Sequence, residues 1–216
     1  MAQRRRGRFV TLEGGEGAGK STQLRRLAAW LRSIVGDVVE TREPGGSAGA
    51  EQIRGLLVAG DIERWDPLTE ALLHFAARRD HLVKTILPAL ARGAWVLSDR
   101  FADSTMAYQG YGHGVDRASL AELYRICVGT MRPDLTIILD LPVATGLARA
   151  SGRGAGEDRY ERMDLAFHER LRDGFNEIAR NEPERCVVID ATLDEDAVHA
   201  AIVATVAERF AVSSAP

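Results

Sequence analysis

Residues 9–31 constrain the chain more than any other stretch. Phe9-Val10-Thr11-Leu12 is a short apolar run that reads as a buried strand. It leads into Gly14-x-x-x-x-Gly19-Lys20-Ser21, the phosphate-binding loop pattern. A helix follows, with Leu24, Leu27, Ala28 and Leu31 on one face. Strand, glycine loop and helix are the context this pattern requires. Glycines let successive backbone N–H groups turn inward around a polyphosphate with no side chain in the way. The helix N-terminus adds its partial positive charge. Lys20 is placed to reach the outer phosphates, and the Ser21 hydroxyl to ligate Mg²⁺. The expected nucleotide contacts are Gly14, Gly15, Gly17, Ala18, Gly19, Lys20, Ser21 and Thr22.

Further along, short apolar runs alternate with helical periodicity. Strands are expected at Asp37–Thr41, Ala94–Leu97, Leu135–Leu139 and Cys186–Ile189. Helices are expected at 49–58, 67–92, 103–109, 118–131, 142–149, 163–180 and 195–210, with a flexible loop at 110–114. The helix over 67–92 carries Leu68, Leu72, Phe75, Leu82, Ile86 and Leu90 as its apolar side. Five strands alternating with helices predict an α/β fold, a parallel sheet with helices on both faces. No repeat or linker divides the chain, so residues 1–216 read as one domain with a short glycine-interrupted lid at about 149–162 and a disordered tail at 211–216. Ligands of such sheets sit beyond the carboxyl ends of the strands. Glu13, Arg42, Glu43, Asp99, Arg100 and Asp140 gather there.

Charge is nearly balanced, 28 Lys+Arg against 31 Asp+Glu, which argues against a nucleic-acid or membrane-surface binder. No apolar run reaches membrane-spanning length, and Met1 to Arg8 is basic without the apolar core of a signal peptide. Cys127 and Cys186 lack a CxxC or histidine partner and read as buried free thiols of a reducing cytoplasm.

Several segments in order resemble the bacterial thymidylate kinases: GGEGAGKST at 14–22, TREPGG at 41–46, EQIRGLL at 51–57, AARRDHL at 76–82, SDRFADSTMAYQG at 98–110, RPDLTIILD at 132–140 and the arginine-bearing stretch 149–162. The resemblance spans nearly the whole chain. It implies a nucleoside monophosphate kinase fold, ATP-dependent phosphorylation of dTMP to dTDP, a Mg²⁺ requirement and a homodimer. Phosphoryl transfer between two anions is mostly positioning and charge neutralisation. The resemblance therefore assigns Lys20 and Arg100 as catalytic cations, Arg100 also holding the acceptor phosphate, and Ser21 with Asp99 to Mg²⁺. It faces Glu16 toward the acceptor 3′-hydroxyl. With no arginine among Gly15, Glu16, Gly17 and Ala18, the donor-side cation is expected from the lid, Arg153 first, with Arg149 near the adenine. Arg159 and Arg162 have two open readings, phosphate contact or pairing with Glu157, Asp158 and Glu161.

For the acceptor the resemblance points to Arg78, Thr105 and Gln109 at the base, Tyr108 crowding the sugar 2′ position, and Glu43 and Arg54 around the phosphate. A phenylalanine common in the family at the base-stacking position is replaced here by His74, with Phe75 next to it, so either ring is a candidate. Two alternatives remain. Another nucleoside monophosphate or deoxynucleoside kinase would share the loop, the Asp-Arg pair and the lid, but not TREPGG and STMAYQG. A P-loop switch GTPase should carry NKxD, and neither Asn176 nor Asn181 begins one.

Overall fold

Apolar runs without alternation are stable as strands only where both faces of the sheet are covered. The computed structural model, which describes residues 6–151 and 158–212, has that arrangement. Strands β1 (Phe9–Glu13), β2 (Val38–Arg42), β3 (Trp95–Asp99), β4 (Leu135–Asp140) and β5 (Cys186–Asp190) form one parallel sheet in the order β2-β3-β1-β4-β5. Every strand runs at least one residue past its expected end. The added residues are polar, so hydropathy stops short of them, yet the parallel register continues: Glu13 sits beside Ile138, Arg42 beside Asp99 and Asp140 beside Asp190.

The helices are α1 (Lys20–Val35), α2 (Ala48–Leu57), α3 (Pro67–His81), α4 (Leu87–Ala91), α5 (Ala102–Thr105), α6 (Arg117–Cys127), α7 (Val143–Ala150), α8 (Leu165–Asn181) and α9 (Glu195–Phe210). On one face of the sheet, Leu24, Leu27 and Leu31 of α1 and Val198, Ile202 and Val206 of α9 pack on Val10, Leu12, Leu97 and Ile137. On the other, Leu82, Ile86 and Leu90 pack on Phe9 and Val96, and Phe167, Leu171 and Phe175 of α8 on Ile138. Alternation along β1 thus sends Thr11 and Glu13 to the second face, where α5 lies.

Four segments depart from expectation. The long helix over 67–92 widens into a π turn at Leu82–Ile86 before α4. The turn comes just ahead of Pro88, which has no N–H for the regular ladder and crowds the preceding turn. Leu68 and Leu72 are not core residues of this helix; they are 47% and 48% exposed. The stretch expected as a flexible loop at 110–114 is instead partly π-helical, Met106–Gly112. Its glycine at 112 serves close packing rather than freedom, because a Cβ there would lie 2.5 Å from the Phe167 ring. Helix α6 stops at Cys127, short of Met131. Ala211 and Val212, at the start of the expected tail, close α9 through N–H bonds to the Ala207 carbonyl. Residues 213–216 lie outside the described residues.

Aspartates cap four helices: Asp66 on α3, Asp116 on α6, Asp164 on α8 and Asp194 on α9. Helix α1 begins differently. Gly19 stands at its N-cap with φ +87° and no side-chain cap, so no carboxylate competes for the first N–H groups.

Candidate active site

The loop between β1 and α1 is shaped by glycines that no other residue could replace. A Cβ on Gly14 would lie 2.4 Å from the Leu139 carbonyl oxygen, and one on Gly17 would lie 2.0 Å from that of Gly146. Both have positive φ. Lys20, on the first turn of α1, folds back so that Nζ donates to the carbonyls of Gly14 (3.2 Å) and Gly15 (2.6 Å). Burial, reinforced by the nearby Arg100 charge, pushes the Lys20 amine down to about 8, against the pull of Glu16 and Asp99. A phosphate oxygen is a stronger acceptor than either carbonyl, so a bound polyphosphate competes for this ammonium.

Arg100 follows β3 at φ +70°, a conformation that costs a non-glycine residue energy and that tends to persist at functional sites. Its backbone N–H donates to the Leu12 carbonyl, extending the sheet pairing. Its guanidinium donates to the Gly14 carbonyl (2.9 Å), Ser104 Oγ (3.1 Å) and Glu16 Oε1 (3.0 Å). The charge sits 4.9 Å from the Tyr108 ring centroid. Glu16 does not point to water. Its Oε1 also accepts from the Tyr108 hydroxyl at 2.5 Å. Burial alone would raise this carboxyl, but Arg100, Lys20 and the Tyr108 bond outweigh it and hold Glu16 at about 2. Glu16 is therefore a fixed anion within the phosphate-binding loop that aligns Arg100. Beneath them Glu13 is fully buried. It accepts from the Phe101 N–H and Ser104 Oγ, and burial, with Asp103 adding to it, lifts its pKa to about 7.

Beyond Arg100 a pocket of about 120 Å³ opens. Of the ten expected acceptor residues, Glu16, Glu43, Arg54, His74, Arg78, Arg100, Thr105, Tyr108 and Gln109 line it. Phe75 does not. It is buried among Ala71 and Leu120, with the Arg78 guanidinium 5.0 Å from its ring centroid. The one-residue step along α3 turns His74 inward and Phe75 into the core. Burial, then the Arg78 charge, holds His74 down at about 3, so its ring is neutral, with Nε2 2.8 Å from the Tyr160 hydroxyl.

Arg78 is buried, at 2% exposure. Nε donates to Glu43 Oε2 (2.7 Å), and Nη2 to the Phe101 carbonyl (3.0 Å) and Thr105 Oγ1 (2.9 Å). Glu43 Oε1 lies 3.0 Å from His81 Nδ1, so its carboxylate serves Arg78 and His81. Nη1 of Arg78 is left buried without a partner. Gln109 has the mirror feature: Nε2 donates to Glu70 Oε1 at 2.8 Å, and Oε1 is buried without a partner. The pocket is therefore lined by residues with one unused donor and one unused acceptor.

On the loop side, Ser21 Oγ donates to Asp99 Oδ2, pairing two hard oxygen atoms at the mouth of α1. Among the described residues no cluster of three His, Cys, Asp or Glu could hold a metal. A hydroxyl and one carboxylate suit a cation that keeps most of its water, as Mg²⁺ does.

The sequence matches the family described as thymidylate kinase over residues 12–202. The chain belongs to the thymidylate kinase family. It is 59% identical over 204 residues to the thymidylate kinase of Caulobacter vibrioides, covering 94% of this chain and 98% of that one. The thymidylate kinase of a Bradyrhizobium species (strain BTAi1) is 53% identical over 207 residues, 95% and 92% of the two chains. The crystal structure of thymidylate kinase from Ehrlichia chaffeensis superposes with a TM-score of 0.77 at 38% identity, covering 93% of this chain and 98% of that one. The fold is that of the P-loop nucleoside monophosphate kinases.

The arginines of the expected lid separate. Arg153, and with it Glu157, lies outside the described residues. Arg149 is exposed on the last turn of α7 and donates to the Ala191 carbonyl at 3.4 Å, past the end of β5. Arg159 turns into the interior. It is 1% exposed, donates to the carbonyls of Leu57, Asp61 and Ile62, and pairs with Glu70. Arg162 pairs with Asp158 at 3.4 Å and bonds the Gly60 carbonyl. Arg42 braces its loop through Glu51 at 3.0 Å, while Glu51 also accepts the Gly46 N–H.

The sequence reading missed Tyr160, Phe101, Ser104 and Pro44 as pocket walls and Glu70 as a buried anchor. Position at a strand end pointed to Glu13. Nothing local marked Glu70.

Proposed function

We propose that the chain transfers the γ-phosphoryl group of ATP to dTMP, giving ADP and dTDP, with ATP on the Gly14–Thr22 loop and dTMP in the pocket behind Arg100. The observation that carries the acceptor assignment is the pair of unused atoms, Arg78 Nη1 and Gln109 Oε1. A thymine edge offers O4 as acceptor and N3–H as donor. A cytosine edge offers the reverse and would leave both buried groups unsatisfied, a costly mismatch.

In this reading Lys20 and Arg100 neutralise the phosphates on either side of the transferred group. Glu16 and Tyr108 hold Arg100 in line and close the sugar side, where Tyr108 leaves no room for a 2′-hydroxyl. His74, neutral and held by Tyr160, is the ring beside the base, and Thr105 with Gln109 completes the polar edge. Arg54, whose Nη1 reaches the Pro44 carbonyl at 2.8 Å, and Glu43 hold the pocket's outer wall. Ser21 and Asp99 would hold Mg²⁺, which when bound supplies further positive charge to the phosphates. Arg149 lies at the adenine side, and Arg153 is the lid arginine assigned to the transferred phosphoryl group.

The reading includes a homodimer. Leu56, Leu68, Leu72, Val83 and Leu87 are exposed along α2, α3, the π turn and α4, an apolar strip that a second copy would cover. It also places the enzyme in the cytoplasm, which the two free thiols support. No helix among the described residues is long and apolar enough to cross a membrane.

The test is ADP formation from ATP and Mg²⁺ with dTMP, dUMP, UMP, dCMP, AMP or GMP at one subsaturating concentration. The dTMP rate should stand well above the rest. The margin over dUMP should be modest, since one methyl group contributes about 1–3 kcal/mol. A flat profile or a ribonucleotide preference overturns the acceptor assignment.

A further inference from the structure

Gln109 can read a base only if its amide is held one way round. A free amide presents either its oxygen or its NH₂ with little cost, and the two choices select opposite pyrimidine edges. The π-helical turn carrying Gln109 leaves its side chain fully buried, out of reach of water that would satisfy either orientation.

What breaks the tie is Glu70 on the first turn of α3. Its side chain is 1% exposed. Glu70 Oε1 accepts from Gln109 Nε2 at 2.8 Å, and a carboxylate can only accept. A flipped amide would set its oxygen against a buried anion. The Gln109 NH₂ is thereby committed away from the base, and its oxygen is the atom left without a partner. Arg159, equally buried, pairs with Glu70 and stands as its countercharge. Arg159 is itself fixed by carbonyls of the α2–α3 connection, Leu57 (3.2 Å), Asp61 (2.8 Å) and Ile62 (2.8 Å). His113 Nε2, 3.5 Å from Glu70 Oε1, is buried and unbonded, and burial lowers its pKa, so it does not supply the countercharge.

We infer that Glu70, held by Arg159, is a specificity-determining positioning residue: it locks the Gln109 amide with its oxygen toward the acceptor base and so makes the pocket select an N3–H edge over an unprotonated N3. Glu70 touches Gln109 and Arg159, not the substrate. The same pair ties the end of the 149–162 stretch to the base pocket, since Arg159 comes from it. This inference rests on the dTMP reading above.

The probe is 5-methyl-2′-deoxycytidine 5′-monophosphate, which keeps the methyl group and sugar of dTMP and reverses the edge at positions 3 and 4. For the unaltered enzyme, kcat/KM for dTMP should exceed that for the probe by at least about a hundredfold. In Glu70→Gln the neighbouring amide accepts either orientation of Gln109, and the ratio should narrow by about tenfold or more. The loss with dTMP should fall on KM more than on kcat. If Glu70→Gln does not fold, the paired Glu70→Met, Arg159→Met variant removes both buried charges at once and should narrow the ratio in the same way. A folded variant of either kind with an unchanged ratio overturns the role of Glu70. Equal use of both acceptors by the unaltered enzyme instead overturns the Gln109 reading on which the inference rests.

Discussion

Arg100 Nη2 lies 3.0 Å from Glu16 Oε1, and both side chains are more than four-fifths buried. The pair joins the phosphate loop to the end of β3, the two segments that the proposed reaction must keep in register. Glu16 carries a folded-state pKa near 2, below its ordinary 4.5. A depressed carboxyl contributes stability that is present above the ordinary value and is lost as pH falls toward the folded one. The stability difference between the enzyme and Glu16→Gln should therefore be greatest above pH 4.5 and shrink on acidification toward pH 2. Urea denaturation at a series of pH values measures it. A difference that stays constant across that window would show that Glu16 is not held ionised by Arg100.

Lys20 is shifted down as well, but a depressed amine costs stability at neutral pH where a depressed carboxyl adds it. Its folded pKa of about 8 lies below the ordinary 10.5, so the unfolded chain binds the proton more tightly, and stability from this group rises with pH between the two values. Lys20→Met should melt a few degrees higher than the unaltered protein at pH 7, with the gap closing as pH rises from about 8 to 10.5. The same variant should lose at least about a hundredfold in kcat, because the ammonium is assigned to the transferred phosphoryl group. Calorimetry together with ADP release reads both. A Lys20→Met protein that is less stable at pH 7 contradicts the burial cost.

Arg78 and Glu43 form a pair with side chains 2% and 3% exposed. Removing one partner strands the other as a buried charge. Arg78→Ala should lose about 3–5 kcal/mol of stability. Arg78→Lys keeps the charge but not the planar fork that serves Glu43, Phe101 and Thr105 together, so it should fold and show a raised KM for dTMP. Denaturant unfolding and initial rates distinguish the two. Equal KM values for Arg78→Lys and the unaltered enzyme would remove Arg78 from the base contact.

The apolar strip on α3 gives a prediction about assembly. Leu72, 48% exposed, lies one turn from the equally exposed Leu68. Leu72→Glu should convert a dimer to a monomer in sedimentation velocity at micromolar concentration. A monomeric unaltered protein under the same conditions sinks the dimer.

The sequence by itself determined the sheet, the loop and the order of the motifs. These are local matters: a continuous apolar run, a helical period and a glycine spacing are each written within about ten residues, and backbone hydrogen bonding obliges them to form. Of the ten acceptor residues expected from their order along the chain, nine line one pocket. The tertiary structure alone decided which side chains were free to act. Arg159 read as a lid arginine, but its carbonyl partner Asp61 is 98 residues away in sequence and holds it in the interior. Gln109 read as a base contact, but its orientation is set by Glu70, 39 residues earlier, which no local pattern singles out. His74 and Phe75 were equivalent neighbours until α3 packed and sent one inward to the pocket and the other to the core. Partner choice among buried charges depends on which surfaces meet when the helices dock on the sheet. That geometry is a property of the whole packed chain, and residue type and spacing leave it open.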